Sequence, residues 1–219
     1  LHDALPIYYS PSIGTGTLEG APSNDLDGNT RPQPVDTNPD MGAYENALGE
    51  RLTGATYYIA TTGSDSSNGQ IATPFKTIQH GIDAAWAGDT VIVYPGTYAG
   101  NINYEGKSIV LASRILESGN EAYTDSTIIE GNVTINDGVD STALFSGFMV
   151  KETTTGIICE GDIRLRNLIV RDNTHHGIHF TSSEATLRNS IVFGNITNSV
   201  AGAGIRIESS SNIKLINVV

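Results

Sequence analysis

Ile163-Arg-Leu-Arg-Asn-Leu-Ile-Val170, Ala185-Thr-Leu-Arg-Asn-Ser-Ile-Val192 and Ile213-Lys-Leu-Ile-Asn-Val-Val219 decide the fold, because they are one pattern written three times. Each reads Leu, Asn and then Ile or Val at every second position. The asparagines Asn167, Asn189 and Asn217 are 22 and 28 residues apart (189 − 167 and 217 − 189). A second marker keeps step with them: Gly156-Ile-Ile-Cys159, Gly177-Ile-His-Phe180 and Gly204-Ile-Arg-Ile207. Self-similarity at this interval, in short alternating segments without helical period, defines a β-solenoid.

Alternation with period two sends every second side chain inward. The inward set is therefore Ile157/Cys159, Ile178/Phe180 and Ile205/Ile207 in one group of segments, and Leu165, Leu187 and Leu215 in the other. Stacked rungs about 4.8 Å apart place like on like, so Cys159, Phe180 and Ile207 form one expected ladder. Asparagine suits the corner between two strands: it tolerates left-handed backbone, and its amide reaches its copy in the next rung. Asn167, Asn189 and Asn217 are the expected corner ladder, and Gly147 stands at that place in the less regular rung 143–150. The longer interval after Asn189 predicts a loop over 194–202.

The pattern resembles the right-handed parallel β-helix of the pectin-lyase-like superfamily. Tyr57-Tyr-Ile-Ala-Thr-Thr-Gly-Ser-Asp65, Ala72-Thr-Pro-Phe-Lys-Thr-Ile-Gln-His-Gly-Ile-Asp-Ala-Ala85 and Ala87-Gly-Asp-Thr-Val-Ile-Val-Tyr-Pro-Gly-Thr-Tyr98 resemble, in order, the opening segment of such helices. A solenoid end exposes apolar rungs, so it needs a cap. The local sequence predicts a short amphipathic helix with Thr73 as N-cap, Pro74 in its first turn, Phe75, Ile78, Ile82 and Ala85 on one face, and Gly88 at its end. The expected fold class is all-β: a right-handed parallel β-helix with a short N-terminal capping α-helix.

The region before it reads differently. Asp25-Leu-Asp-Gly-Asn-Thr-Arg-Pro-Gln-Pro34 and Asp40-Met-Gly-Ala-Tyr-Glu45 resemble the segment that closes many bacterial β-helices. The resemblance implies that 8–46 ends one β-helix module, that 47–56 is a linker, and that 57–219 is the N-terminal part of a second, truncated module. Residues 1–7 resemble the translation of a sequencing adapter and are set aside. Asp25, Asp27 and Asn29 are spaced like the start of a calcium loop, but Asp36 stands where its bidentate glutamate belongs. A turn closed by Asx hydrogen bonds is the expectation, with calcium the alternative and no other cofactor.

Charge and cysteine content narrow the partners. The net charge is −12, and residues 1–149 hold 18 of the 24 acids but 5 of the 12 bases. Such a balance argues against nucleic acid and anionic membranes. No apolar run is long enough to span a bilayer, so no membrane insertion is expected. The single cysteine, Cys159, excludes an intrachain disulfide framework and reads as a buried thiol. His175-His176, beside Asp172, lacks a third ligand at metal-site spacing, so no metal is expected there.

Two outward sets could carry function. His179 and Arg206 occupy equivalent outward positions near Glu160 and Glu208. In the resembled superfamily, uronate lyases need a base and a cation to abstract the proton alpha to a carboxylate, so these two are the candidate catalytic residues. Arg164, Arg166, Arg188 and Lys214 form a second outward stripe, the candidate substrate-binding set for an acidic glycan. No aspartate cluster accompanies either. The expected function is a secreted or cell-surface bacterial β-helix fragment that contacts polysaccharide without catalysis, linked to further β-helix modules of the same chain. The alternative is a polysaccharide lyase or glycoside hydrolase, acting by β-elimination in the lyase case.

Overall fold

A computed structural model describes residues 16–32, 39, 41, 54–196, 203–208 and 211–219. The chain divides into two compact units, Leu1–Thr53 and Gly54–Val219. Most of the expected closing segment and linker, including 42–50 and 51–53, lies outside the described residues, as does 197–202 of the expected loop.

In the first unit the Asp25 turn is closed by its own side chain. Asp25 Oδ1 accepts from the backbone N–H of Asp27 (2.9 Å) and Asn29 (2.7 Å), and Oδ2 accepts from Asn29 Nδ2 at 2.9 Å. Both carboxylate oxygens thus serve Asx hydrogen bonds. Among the described residues no three His, Cys, Asp or Glu side chains are grouped to hold a metal.

The second unit is a right-handed parallel β-helix. Its first sheet stacks β1 (Thr56–Ile59), β2 (Thr90–Val93), β5 (Val110–Ser113), β8 (Leu144–Ser146), β11 (Arg164–Arg166), the first half of β14 (Thr186–Phe193) and β16 (Lys214–Val218). Its second stacks β3 (Gly96–Ala99), β6 (Thr127–Glu130), β9 (Met149–Lys151), β12 (Ile169–Arg171) and the second half of β14. Its third stacks β4 (Ile102–Asn103), β7 (Val133–Ile135), β10 (Ile157–Cys159), β13 (Ile178–Phe180) and β15 (Ile205–Ile207). Every pairing between these strands is parallel, as a coil of successive rungs requires.

The register matches the alternation. Leu165, Leu187 and Leu215 are cross-rung partners, continuing Val91, Leu111 and Phe145. Cys159, Phe180 and Ile207 are likewise in line behind Ile135. Ile135, Cys159, Phe180, Leu165 and Leu187 are fully buried, whereas Ile207 on β15 and Leu215 on β16, each on the outermost strand of its sheet, are 47% exposed. Burial pushes the Cys159 thiol up to about 12, and the thiol donates to the Gly161 carbonyl at 3.3 Å, so it stays protonated and inert.

The first corner is built on left-handed backbone. Asn167, Asn189 and Asn217 have φ of 50°, 51° and 53°, and Gly147 in the rung before them has 82°. Asn217 Nδ2 donates to Asn189 Oδ1 at 3.1 Å. A second ladder stands at the next corner, where Asn173 Nδ2 donates to Asn195 Oδ1 at 2.8 Å and Asn195 Nδ2 to the Val170 carbonyl at 3.0 Å. These amides bind one rung to the next where the strands leave the sheet.

The cap helix starts later than the local sequence predicts. Helix α1 is Ile78–Ala84, its N-cap is Thr77 and its C-cap is Ala85. Thr73 instead pairs with Gln70 in a turn, and Phe75 bridges to Ile59 in parallel, so Pro74 and Phe75 precede the helix. The physical reason is Asp65. Its Oδ1 accepts from the N–H groups of Lys76 (2.8 Å) and Thr77 (3.0 Å), and its Oδ2 from the Thr77 hydroxyl at 2.9 Å. A carboxylate twelve residues before the N-cap thereby reinforces the local cap that Thr77 makes with the His80 N–H and fixes the helix start. Gly88 is not the C-cap; it lies beyond it, at φ 88°. The apolar face holds: Ile78, Ile82 and Ala85 are buried, and α1 packs on β1, β2 and β4. Gly81 lets it come close, since a Cβ there would sit 2.5 Å from Ile59 Cδ1.

Burial alone would raise the Asp65 carboxyl. The hydrogen bonds from Thr77 and Lys76, together with the His80 charge, outweigh it and hold the group below its ordinary value. Its contribution is therefore complete above the unfolded value of about 4 and is lost as pH falls through the lower folded value. Asp65→Asn, which replaces an acceptor oxygen with an NH2 group, is expected to lower the melting temperature at neutral pH by about 2–4 °C. The gap to the parent should close as the solution is acidified. A gap that stays constant down to strong acid would show that the charge of Asp65 does not hold the cap.

Between β5 and β6 the chain makes an excursion that sequence patterning did not reveal. Helices α2 (Ile115–Ser118) and α3 (Ala122–Ser126) leave the coil at the same corner as the asparagine ladder. Helix α3 packs over β6 and β9, and Thr124 Oγ1 donates to the Asn167 carbonyl at 3.3 Å.

Candidate functional site

The cationic stripe lies on the outer face of the first sheet. Alternation turns Leu165 and Leu187 inward, so Arg164, Arg166 and Arg188 face away from the core. Arg166 and Arg188 are direct cross-rung partners, and Arg164 is joined to Lys214 through Thr186. Four cations thus occupy three successive rungs. Arg166, Arg188 and Lys214 are exposed. Arg164 is half-buried and braced: its Nη2 donates to the Thr142 carbonyl at 2.6 Å and its Nε to the Ala143 carbonyl at 3.3 Å.

Charge pairing sets this stripe apart from most other described cations, Lys76 excepted. Lys107 pairs with Glu105, Arg114 with Glu117, Arg171 with Asp172, and Arg206 with Glu208. Lys151 sits between Glu152 and Glu130, and their hydrogen bonds hold its ammonium above the ordinary value. Among the described residues none of Arg164, Arg166, Arg188 and Lys214 has a carboxylate partner. Uncompensated like charges on one face repel one another by an amount that a polyanion would relieve.

The other candidates sit on the third sheet. His179 and Arg206 are cross-rung partners facing outward. Both reach Glu208 Oε1, His179 Nε2 at 3.1 Å and Arg206 Nη2 at 2.9 Å, so one carboxylate bridges the two. Glu160 is exposed on the adjacent rung. The His175 ring lies 3.9 Å, centroid to centroid, from that of His176, which is itself 5.6 Å from that of His179. The arrangement is an ion-paired cluster, with Thr181 Oγ1 3.4 Å from His179 Nε2.

A groove of about 450 Å³ lies on the far side of the first corner, between α3 and the second sheet. Sequence reasoning missed it, because its outer bank is the excursion helix.

The fold is that of the pectin-lyase-like right-handed β-helices. Residues 61–123 match the family described as a protein of unknown function, DUF1565. An uncharacterized protein of Bacillus subtilis (strain 168), YwoF, is 28% identical over 158 residues, covering 62% of this chain and 31% of that protein. Among solved structures the chain is similar to pectate lyase Pel9A, with a TM-score of 0.53 and 17% identity over 76% of this chain and 48% of that one. A rhamnogalacturonan lyase matches with a TM-score of 0.28 and 14% identity, over 75% of this chain and 56% of that one. The chain thus spans about a third of the length of YwoF and about half that of Pel9A.

Proposed function

We propose that this β-helix binds an acidic polysaccharide along the Arg164–Arg166–Arg188–Lys214 stripe without cleaving it, as part of a bacterial protein that works outside the cell. One observation carries the reading: in a chain of net charge −12, four cations on three rungs of one sheet face lack carboxylate partners among the described residues. Their repeat also suits the ligand. Guanidinium groups on consecutive rungs, about 4.8 Å apart, meet a chain whose carboxylates also recur, and each contact is charge-assisted and bidentate.

Affinity electrophoresis through polygalacturonate tests this. The protein should be retarded at low salt and much less so at physiological salt, because exposed charges are screened over about 8–10 Å. Arg166→Ala with Arg188→Ala should weaken retention about tenfold or more while leaving the melting curve unchanged, since both residues are exposed. Retention that ignores the double substitution would dismiss the stripe. The His179–Arg206–Glu208 cluster supports a second reading, a lyase on the third sheet. It demands an unsaturated product from polygalacturonate that disappears in His179→Ala and Arg206→Ala. Such a product would replace the non-catalytic reading.

A further inference from the structure

The outer face of the second sheet carries a ladder unrelated to the cationic stripe. Ile128, Met149, Ile169 and Ile191 are cross-rung partners. They face outward, because their neighbours Ile129, Val150 and Val170 fill the core. Helix α3 covers the first part of this ladder: it packs on β6 and β9, and Met149 is only 8% exposed. Past the end of α3 the ladder is open. Ile169 is half-buried and Ile191 is 45% exposed.

That open part is the floor of the groove, and its two banks differ. One bank is the corner ladder of Asn167, Asn189 and Asn217, which presents an amide on every rung. The other is α3 with its N-cap residue, which presents Asp125 and Glu121. Both carboxylates are exposed, and among the described residues neither is in an ion pair.

We propose that this groove binds a neutral glycan chain. The chemistry matches part by part. The C–H face of a pyranose ring suits the apolar floor of Ile169 and Ile191. Its hydroxyls donate to the Glu121 and Asp125 carboxylates and exchange hydrogen bonds with the asparagine amides. A few convergent polar groups over an apolar floor, in a cavity of this size, are what a small-ligand cleft needs. Recurring amides favour a ligand that also recurs. The two carboxylates disfavour uronate, sulfate and phosphate groups, so this ligand differs from the polyanion proposed for the stripe. The sites lie on opposite sides of the corner: Arg166 and Arg188 precede Asn167 and Asn189, whereas Ile169 and Ile191 follow them.

Affinity electrophoresis of the whole chain through galactomannan and through mixed-linkage β-glucan is the test. At least one gel should retard the protein, equally at low and high salt, because hydroxyl hydrogen bonds and apolar contacts are not screened as charges are. Glu121→Ala with Asp125→Ala should weaken that retention about tenfold. Both residues are exposed, Glu121 makes no capping hydrogen bond and alanine favours helix at 125, so the melting temperature should hold. Arg166→Ala with Arg188→Ala should leave it unchanged. Titration with cellohexaose, followed by NMR, should shift the side-chain amide signals of Asn189 and Asn217. Absence of retardation in both gels overturns the proposal. So does retention that vanishes with salt, or that follows the arginines rather than Glu121 and Asp125. Loss of polygalacturonate binding alone would overturn only the stripe.

Discussion

Cys159→Asp is expected to unfold the β-helix. The side chain is fully buried between Ile135 and Phe180 on neighbouring rungs, and its surroundings already keep the thiol from ionising, pushing it up to about 12. A carboxylate in that place either stays charged without a partner or takes up a proton at the cost of folding. An uncompensated buried charge costs on the order of 3–5 kcal/mol, equivalent to a fall of roughly 10 °C or more in melting temperature for a domain of this size. Cys159→Ser should do far less damage, because a hydroxyl can still donate to the Gly161 carbonyl as the thiol does. Circular dichroism melting of the three proteins checks this. An aspartate variant that melts like the parent would mean that position 159 is not in the core.

The second large effect contradicts what the repeat suggests. Three of the four ladder positions at the first corner hold asparagine, so Gly147→Asn looks like a repair. It is expected to destabilise. The backbone there is left-handed, with φ 82°, which asparagine tolerates. The obstacle is space: a Cβ at Gly147 would lie 2.2 Å from Ser113 Oγ and 2.4 Å from Ile115 Cγ2. Ser113 is fully buried and Ile115 roots the α2 excursion, so neither has room to retreat. Overpacking of this kind costs about 1–3 kcal/mol, and a drop in melting temperature of at least about 3 °C should result. An unchanged or higher melting temperature would show that the excursion is not anchored at Ser113 and Ile115.

The coil was readable because each rung repeats a local instruction. Leu165, Leu187 and Leu215 needed only alternation to be placed inward, and Asn167, Asn189 and Asn217 needed only a shared spacing to be placed at a corner. The second ladder was within reach too: Asn173 and Asn195 are also 22 residues apart (195 − 173), but Thr153, whose N–H donates to Asn173 Oδ1, breaks the series one rung earlier. The helix start was not legible, because Thr73-Pro74 is a sound local signal that hydrogen bonds donated by Lys76 and Thr77 to a distant carboxylate, Asp65, override. Helices of four and five residues, like α2 and α3, are too short to leave a period. The groove depends on where α3 lands, so no reading of its residues in isolation could assemble it. For the stripe, alternation told which arginines face outward. That they lack carboxylate partners depends on the residues across each rung.

The hydrogen bond from Thr124 to the Asn167 carbonyl changes how the coil behaves under load. In a plain solenoid each coil holds only its immediate neighbours, so tension on the last strand peels it away one coil at a time. Here α3 leaves the coil of β5 and β6, passes over β9 and grips the coil of β11 and β12, two steps on. Peeling that arrives from the β14 side meets a tie at Asn167 that skips a step. From there the three coils share the strain and yield together, so the excursion acts as a latch against unzipping.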